Sequence, residues 1–213
     1  MAKRGKFIVF EGLDGCGKTT LMNLVQQRLS EVCKTRRVFD TREPSDHLPG
    51  MICRGVSKRT IVLDPEAEAL MYASDRFEHV TKEILPQLEQ GNHVLCDRYY
   101  FSSFAYQTLS NKLDDLLAYN RRVMELAKAD AVLYIDVSPE ECERRRTLHR
   151  AAEELYEKVE QARLIRDNYF AAFERLKETE HIEIIDGSGS LQETFEAVWK
   201  RLTETVFEDG DLS

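Results

Sequence analysis

Residues 7–20 read Phe7-Ile8-Val9-Phe10-Glu11-Gly12-Leu13-Asp14-Gly15-Cys16-Gly17-Lys18-Thr19-Thr20. The first four form an apolar, strand-like run, and Gly12 to Thr19 fits the pattern G-x-x-x-x-G-K-[ST] where a helix-like segment opens. Strand, glycine-rich loop and helix in that order make a triphosphate cradle. The glycines let the backbone turn back with its N–H groups inward, Lys18 reaches the terminal phosphates, and the Thr19 hydroxyl can hold Mg²⁺. An ordinary glycine-rich turn is the competing explanation, and the flanking elements weigh against it.

Strand-like runs recur at Val38-Phe39, His93 to Cys96, Ala131 to Val137 and Ile182 to Ile185. Helical patterns fill the intervals, with Leu21, Leu24, Val25 and Leu29 after the loop and Leu191, Phe195, Val198, Trp199, Leu202 and Val206 near the end. Buried strands alternating with helices predict an α/β fold, a parallel sheet covered on both faces, with ligands at the C-terminal strand ends. From about Asp64 to Gln90 a long helical region carries Leu70, Ser74, Phe77, Thr81, Ile84 and Leu88 on one face, and Pro86 is expected to kink or end it. Glu204 to Ser213 reads as a loose acidic tail.

A chain of 213 residues suits one domain rather than two. No run approaches the roughly 18 apolar residues of a membrane span, and Met1-Ala2-Lys3-Arg4-Gly5 leads into the first strand without a secretory apolar region, so a cytoplasmic location is expected. The five cysteines are scattered with no C-x-x-C pair, which predicts reduced thiols rather than a zinc site or disulfide framework. A net charge of -8 argues against nucleic acid as partner; an anionic ligand must be met by a local basic cluster.

Asp97-Arg98-Tyr99 follows the strand His93 to Cys96 and so shares a sheet edge with the phosphate loop. Asp97 is suited to hold Mg²⁺ through water and Arg98 to clamp a phosphate, the alternative being a weak salt bridge between neighbours. Arg42-Glu43-Pro44 follows the second strand, either as a site segment or as a Pro-terminated turn. Tyr72 and Arg76, four apart, share a helix face, where ring and guanidinium suit a planar base or a solvated cation–π pair. Arg144, Arg145, Arg146 and Arg150 make either a basic segment that closes on ATP or a surface laced to Glu140 and Glu141.

In sum the chain resembles the thymidylate kinase family over nearly all its length. The resemblance rests on the 10–20 segment, Thr-Arg-Glu-Pro at 41–44 and Leu-Met-Tyr-Ala-Ser-Asp-Arg at 70–76. Further motifs are Asp-Arg-Tyr-Tyr-Phe-Ser-Ser-Phe-Ala-Tyr-Gln at 97–107, the most diagnostic, and Glu-Leu-Tyr-Glu-Lys-Val-Glu-Gln at 154–161. It implies a single P-loop NTPase domain, three-layer α/β/α with a five-stranded parallel sheet and a lid at about 140–156. It also implies a homodimer that transfers the γ-phosphoryl of Mg²⁺·ATP to dTMP. The ATP loop would be Gly12, Leu13, Asp14, Gly15, Cys16, Gly17, Lys18, Thr19 and Thr20, with Thr19 and, through water, Asp97 on the metal. Arg42 and Arg98 would hold the dTMP phosphate, Asp14 the 3′-hydroxyl, Tyr72 the thymine face, Arg76 its O4 and Ser103 its edge, while Tyr106 crowds the 2′ carbon. Lys18, Arg98, Asp14, Arg145 and Arg150 are the implied catalytic set.

Two departures stand out. Gly15 occupies a position where some members carry a basic residue, so the charge must come from the lid, from Arg145 and Arg150 with Arg144 and Arg146 adjacent. Ser45-Asp46-His47-Leu48-Pro49 differs from the usual continuation after Glu-Pro.

A deoxynucleoside or other nucleoside monophosphate kinase would share this fold; the former needs a carboxylate base, for which Glu11 or Asp97 would serve. Asn111-Lys112-Leu113-Asp114 matches the guanine-reading N-K-x-D, but it follows a helix-like stretch, and no D-x-x-G switch lies between it and the phosphate loop. A non-catalytic scaffold would need a broken catalytic set, and none of the expected positions is missing.

Overall fold

A computed structural model describes residues 3–146, 152–208 and 211–212 of the chain, leaving aside the side chains of residues 152–157. Strands β1 (Phe7–Glu11), β2 (Val38–Arg42), β3 (His93–Asp97), β4 (Ala131–Asp136) and β5 (Ile182–Asp186) form one parallel sheet in the order β2-β3-β1-β4-β5. The fold is the expected three-layer α/β/α. Central β1 is buried along its whole length, so its apolar run is continuous rather than alternating. The register sets Phe10 beside Asp97 and Arg42 beside Asp97, which brings the C-terminal ends of β1, β2 and β3 level.

The helices are α1 (Lys18–Val32), α2 (Leu48–Ser57), α3 (Pro65–His79), α4 (Leu85–Glu89), α5 (Tyr100–Tyr106), α6 (Leu113–Leu126), α7 (Pro139–Arg146), α8 (Ala152–Leu176) and α9 (Leu191–Thr205). Local chemistry marks their starts. Asp64 accepts from the Glu66 N–H with Pro65 in the first turn of α3, and Ser190 with Glu193 forms a reciprocal capping box on α9. Helix α2 begins at Leu48 after His47, whose N–H donates to Ser45 Oγ, so the unusual 45–49 stretch is the entry to a helix.

Three sequence expectations change. The region from Asp64 to Gln90 does not carry one apolar stripe to the core: Leu70 and Phe77 are 47% and 44% exposed, and Ser74 is exposed too. Ala69, Ala73, Arg76 and Val80 face inward instead, followed by Ile84 and Leu88. Pro86 does not end the helix. A π-helical turn, Val80–Ile84, precedes it, with the Leu85 N–H donating to Val80 O, and this wider turn accommodates the missing Pro86 donor while shifting the helical phase. The described residues of the acidic tail are docked rather than loose. Asp211 is fully buried, within 3.2 Å of Lys3 and 3.6 Å of Arg36, and its carbonyl meets the His93 ring.

All five cysteines are free and buried, and among the described residues no helix is long and apolar enough to cross a membrane. Asn111 and Lys112 lie between a 3₁₀ turn and α6, with the Asn111 amide donating to Pro65 O and Gln107 O, so the N-K-x-D match is a helix entry.

Candidate active site

The phosphate loop joins β1 to α1 at the centre of the sheet edge. Lys18, 6% exposed, curls back so that Nζ donates to Gly12 O and Leu13 O, each at 3.1 Å, which holds the ammonium over the loop. Gly15, at φ +90°, lies under α7: a Cβ there would sit 2.5 Å from Cys142 O and 2.8 Å from Arg146 Cγ. A basic side chain at 15 is therefore incompatible with α7 in this place. Arg145 ties α7 to the loop, donating to Cys16 O at 3.3 Å and to Gly187 O at 3.5 Å.

The arginines of α7 are paired locally. Glu141 takes both Arg144 and Arg145, Arg146 meets Glu143 at 2.7 Å, and Glu140 pairs with Arg163 of α8 rather than with Arg144. Arg150 lies outside the described residues, as do all of residues 147–151 within the lid expected at about 140–156.

Thr19 Oγ1 donates to Asp97 Oδ2 at 2.6 Å, joining α1 to the end of β3. The other oxygen, Asp97 Oδ1, is buried without a hydrogen-bond partner.

Beside the loop opens a cavity of about 450 Å³ lined by Asp14, Tyr72, Arg76, Arg98, Ser103 and Tyr106, among others. Six of the seven acceptor residues implied by the sequence thus meet in one space. Arg98 donates to Asp14 Oδ1 at 2.6 Å and to the Tyr106 hydroxyl at 3.2 Å, with its guanidinium over the Tyr106 ring. Burial alone would raise the Asp14 carboxyl, but Arg98, Lys18 and Arg146 outweigh it and hold its pKa below the ordinary value. Arg76 is buried and donates to Glu43 at 2.7 Å, Asn120 at 2.5 Å, Tyr99 O at 3.3 Å and Ser103 Oγ at 3.1 Å. The Tyr72 hydroxyl is held at 2.7 Å from Ser57 Oγ, which fixes its ring against the cavity.

The seventh residue, Arg42, is placed elsewhere. It is exposed, 3.5 Å from Asp46, and lines a neighbouring cavity of about 460 Å³ with Thr19 and Asp97. Among the lining residues to which the sequence assigned no role are Gln107, buried with both amide atoms unpartnered, and Glu68, whose pKa burial raises. Gln107 sits in the diagnostic 97–107 segment, where its adjacency to Tyr106 was the available signal. Glu11 is fully buried, and its oxygens accept from the Tyr99 and Ser102 N–H groups and the Ser102 and Tyr169 hydroxyls.

Phosphate loop, hydroxyl–carboxylate pair and arginine-lined cavity at one parallel-sheet edge define a P-loop nucleotide kinase. Comparison with known proteins narrows this. The thymidylate kinase family model matches residues 10–198, and the chain belongs to the thymidylate kinase family. It is 37% identical over 196 residues to the probable thymidylate kinase of Pyrococcus horikoshii, covering 89% of this chain and 92% of that one. It is 35% identical over 201 residues to the probable thymidylate kinase of Pyrococcus abyssi, covering 92% and 94%. Against the thymidylate kinase of Limosilactobacillus reuteri the identity is 33% over 201 residues, covering 91% and 93%.

Proposed function

We propose that the two halves of this site divide the reaction of the family between them. The chain is a dTMP kinase: it transfers the γ-phosphoryl of ATP to dTMP, giving dTDP and ADP. The observation that carries the division of labour is the single cavity holding Asp14, Tyr72, Arg76, Arg98, Ser103 and Tyr106 next to Lys18 and the loop.

In this reading Tyr72 packs on the thymine face, Arg76 and Ser103 address its polar edge, and Gln107 adds an unpaired amide there. Tyr106 crowds the 2′ carbon, Asp14 takes the 3′-hydroxyl and Arg98 the acceptor phosphate. A phosphate monoester has its second pKa at about 6 and is mostly dianionic at pH 7, so no protein base is required. The barrier is repulsion between two anions, which Lys18, Arg98 and the lid cations offset by position and charge. Arg145, already on the loop, is our choice among the described lid arginines.

Mg²⁺ fits the donor set, because Thr19 offers a hydroxyl and Asp97 a buried oxygen without a partner. Thr19 and, through water, Asp97 would hold it, and it would supply positive charge against the ATP phosphates.

Deoxynucleoside phosphorylation is disfavoured by Glu11, whose oxygens are committed to four donors and which does not line the cavity. A homodimer would cover Leu70 and Phe77 on α3. A coupled ADP assay across nucleoside monophosphates tests the substrate; preference for an acceptor other than dTMP overturns it.

A further inference from the structure

Arg98 is held by a relay that reaches it from two other elements. Its Nη1 donates to Ser102 Oγ at 2.8 Å on α5 and to the Tyr169 hydroxyl at 3.3 Å on α8. Those hydroxyls donate in turn to one atom, Glu11 Oε2, at 2.7 Å and 2.8 Å. The direction of the bonds matters. With both hydroxyl protons committed to the carboxylate, both oxygens are left as acceptors turned toward the guanidinium. Glu11 also accepts from the Tyr99 and Ser102 N–H groups, fixing the turn in which Arg98 has φ +73°, a conformation that a non-glycine residue keeps only when its surroundings enforce it.

Tyr169 is the member that comes from outside this turn. Its ring is fully buried, 4.9 Å from the Tyr134 ring and 5.8 Å from that of Phe173, so the hydroxyl is delivered at a fixed place. Helix α8 begins at Ala152, directly after the lid residues that follow α7, and also carries Arg163, paired with Glu140 of α7.

We propose that Tyr169 is a positioning residue: directly, and through Glu11 and Ser102, it lets helix α8 set the Arg98 guanidinium for the acceptor phosphate. The proposal rests on the assignment of Arg98 to that phosphate. Tyr169 touches no substrate in this account; its effect passes through Arg98.

The test is Tyr169→Phe in the full chain, which keeps the ring and removes the hydroxyl, with dTMP and thymidine titrated by calorimetry. Binding of dTMP is expected to weaken about tenfold, in line with losing a hydrogen bond to a charged group. Thymidine, lacking the phosphate, should bind within twofold of the unaltered chain, and the KM for ATP should hold as well. Unchanged dTMP affinity overturns the proposal, and so does an equal loss for dTMP and thymidine, which would mean general damage to the cavity. Should Tyr169→Phe fail to fold, Ser102→Ala removes the parallel hydroxyl and carries the same expectation. If the unaltered chain takes a different nucleotide, the substrate assignment alone fails, and that nucleotide and its nucleoside serve for the same comparison.

Discussion

Arg98 and Asp14 meet at 2.6 Å across the cavity beside the phosphate loop, one from the end of β3 and the other from the loop itself. The pair links the phosphate loop to the cavity through a charge-assisted contact, the junction of the donor and acceptor halves in the reading proposed above. Arg98→Ala and Lys18→Ala are each expected to lower kcat/KM by about 10³ or more, since each removes positive charge where two anions must meet. Both variants should still unfold cooperatively in urea. Near-normal turnover in either would remove that residue from the mechanism.

Gly15→Arg tests the packing of α7 on the loop. The substitution forces a side chain into the left-handed region, costing about 1–2 kcal/mol, and drives its Cβ against Cys142 O. The expected result is a lower thermal midpoint and a higher KM for ATP with the dTMP KM little changed. An unaltered melting curve and ATP KM would mean that α7 does not rest on Gly15 in solution.

His93 supplies a pH dependence of stability. It is fully buried, its Nδ1 accepts from the Lys6 N–H at 3.0 Å and its Nε2 faces Asp211 O at 3.2 Å, an arrangement suited to the neutral ring. Burial lowers its pKa below the ordinary 6.5. The unfolded chain therefore takes up the proton first as pH falls. Its contribution to stability is full above about pH 6.5 and declines toward the lower folded pKa, with a slope of at most about 1.4 kcal/mol per pH unit. Urea unfolding from pH 8 to pH 5 measures it, and His93→Gln should remove this component. A variant with the same pH dependence as the parent would contradict the assignment.

Leu70 and Phe77 project from α3, leaving two large apolar side chains substantially exposed. Phe77→Glu, with Leu70→Glu as a companion, is expected to shift sedimentation from dimer to monomer at micromolar concentration. A parent chain that sediments as a monomer would reject the homodimer outright.

The sequence revealed the parallel sheet and many of the residues that line the cavity beside the phosphate loop because both have local signatures. Short apolar runs marked all five strands, though in β2 only Val38 and Phe39 and in β5 an Ile run broken by Glu183, and the segments 70–76 and 97–107 carried Tyr72, Arg76, Arg98, Ser103 and Tyr106 into one cavity. What escaped depends on partners distant in the chain. Apolar periodicity does not separate a core face from an outward one, so Leu70 and Phe77 read as core, while Arg76 is buried because Glu43 and Asn120 satisfy it. The C-terminal residues read as a loose tail, yet Asp211 finds Lys3 and Arg36 far away in sequence. Arg42 showed its charge but not its direction, which its exposed position beside Asp46 determines.

Phosphorus NMR of the protein with Mg²⁺, ATP and either dTMP or thymidine tests the central claim most directly. The dTMP sample should accumulate dTDP and ADP in equal amounts, and the thymidine sample should keep its ATP. Formation of dTMP from thymidine, or no dTDP from dTMP, would contradict the claim that this site joins two phosphorylated nucleotides.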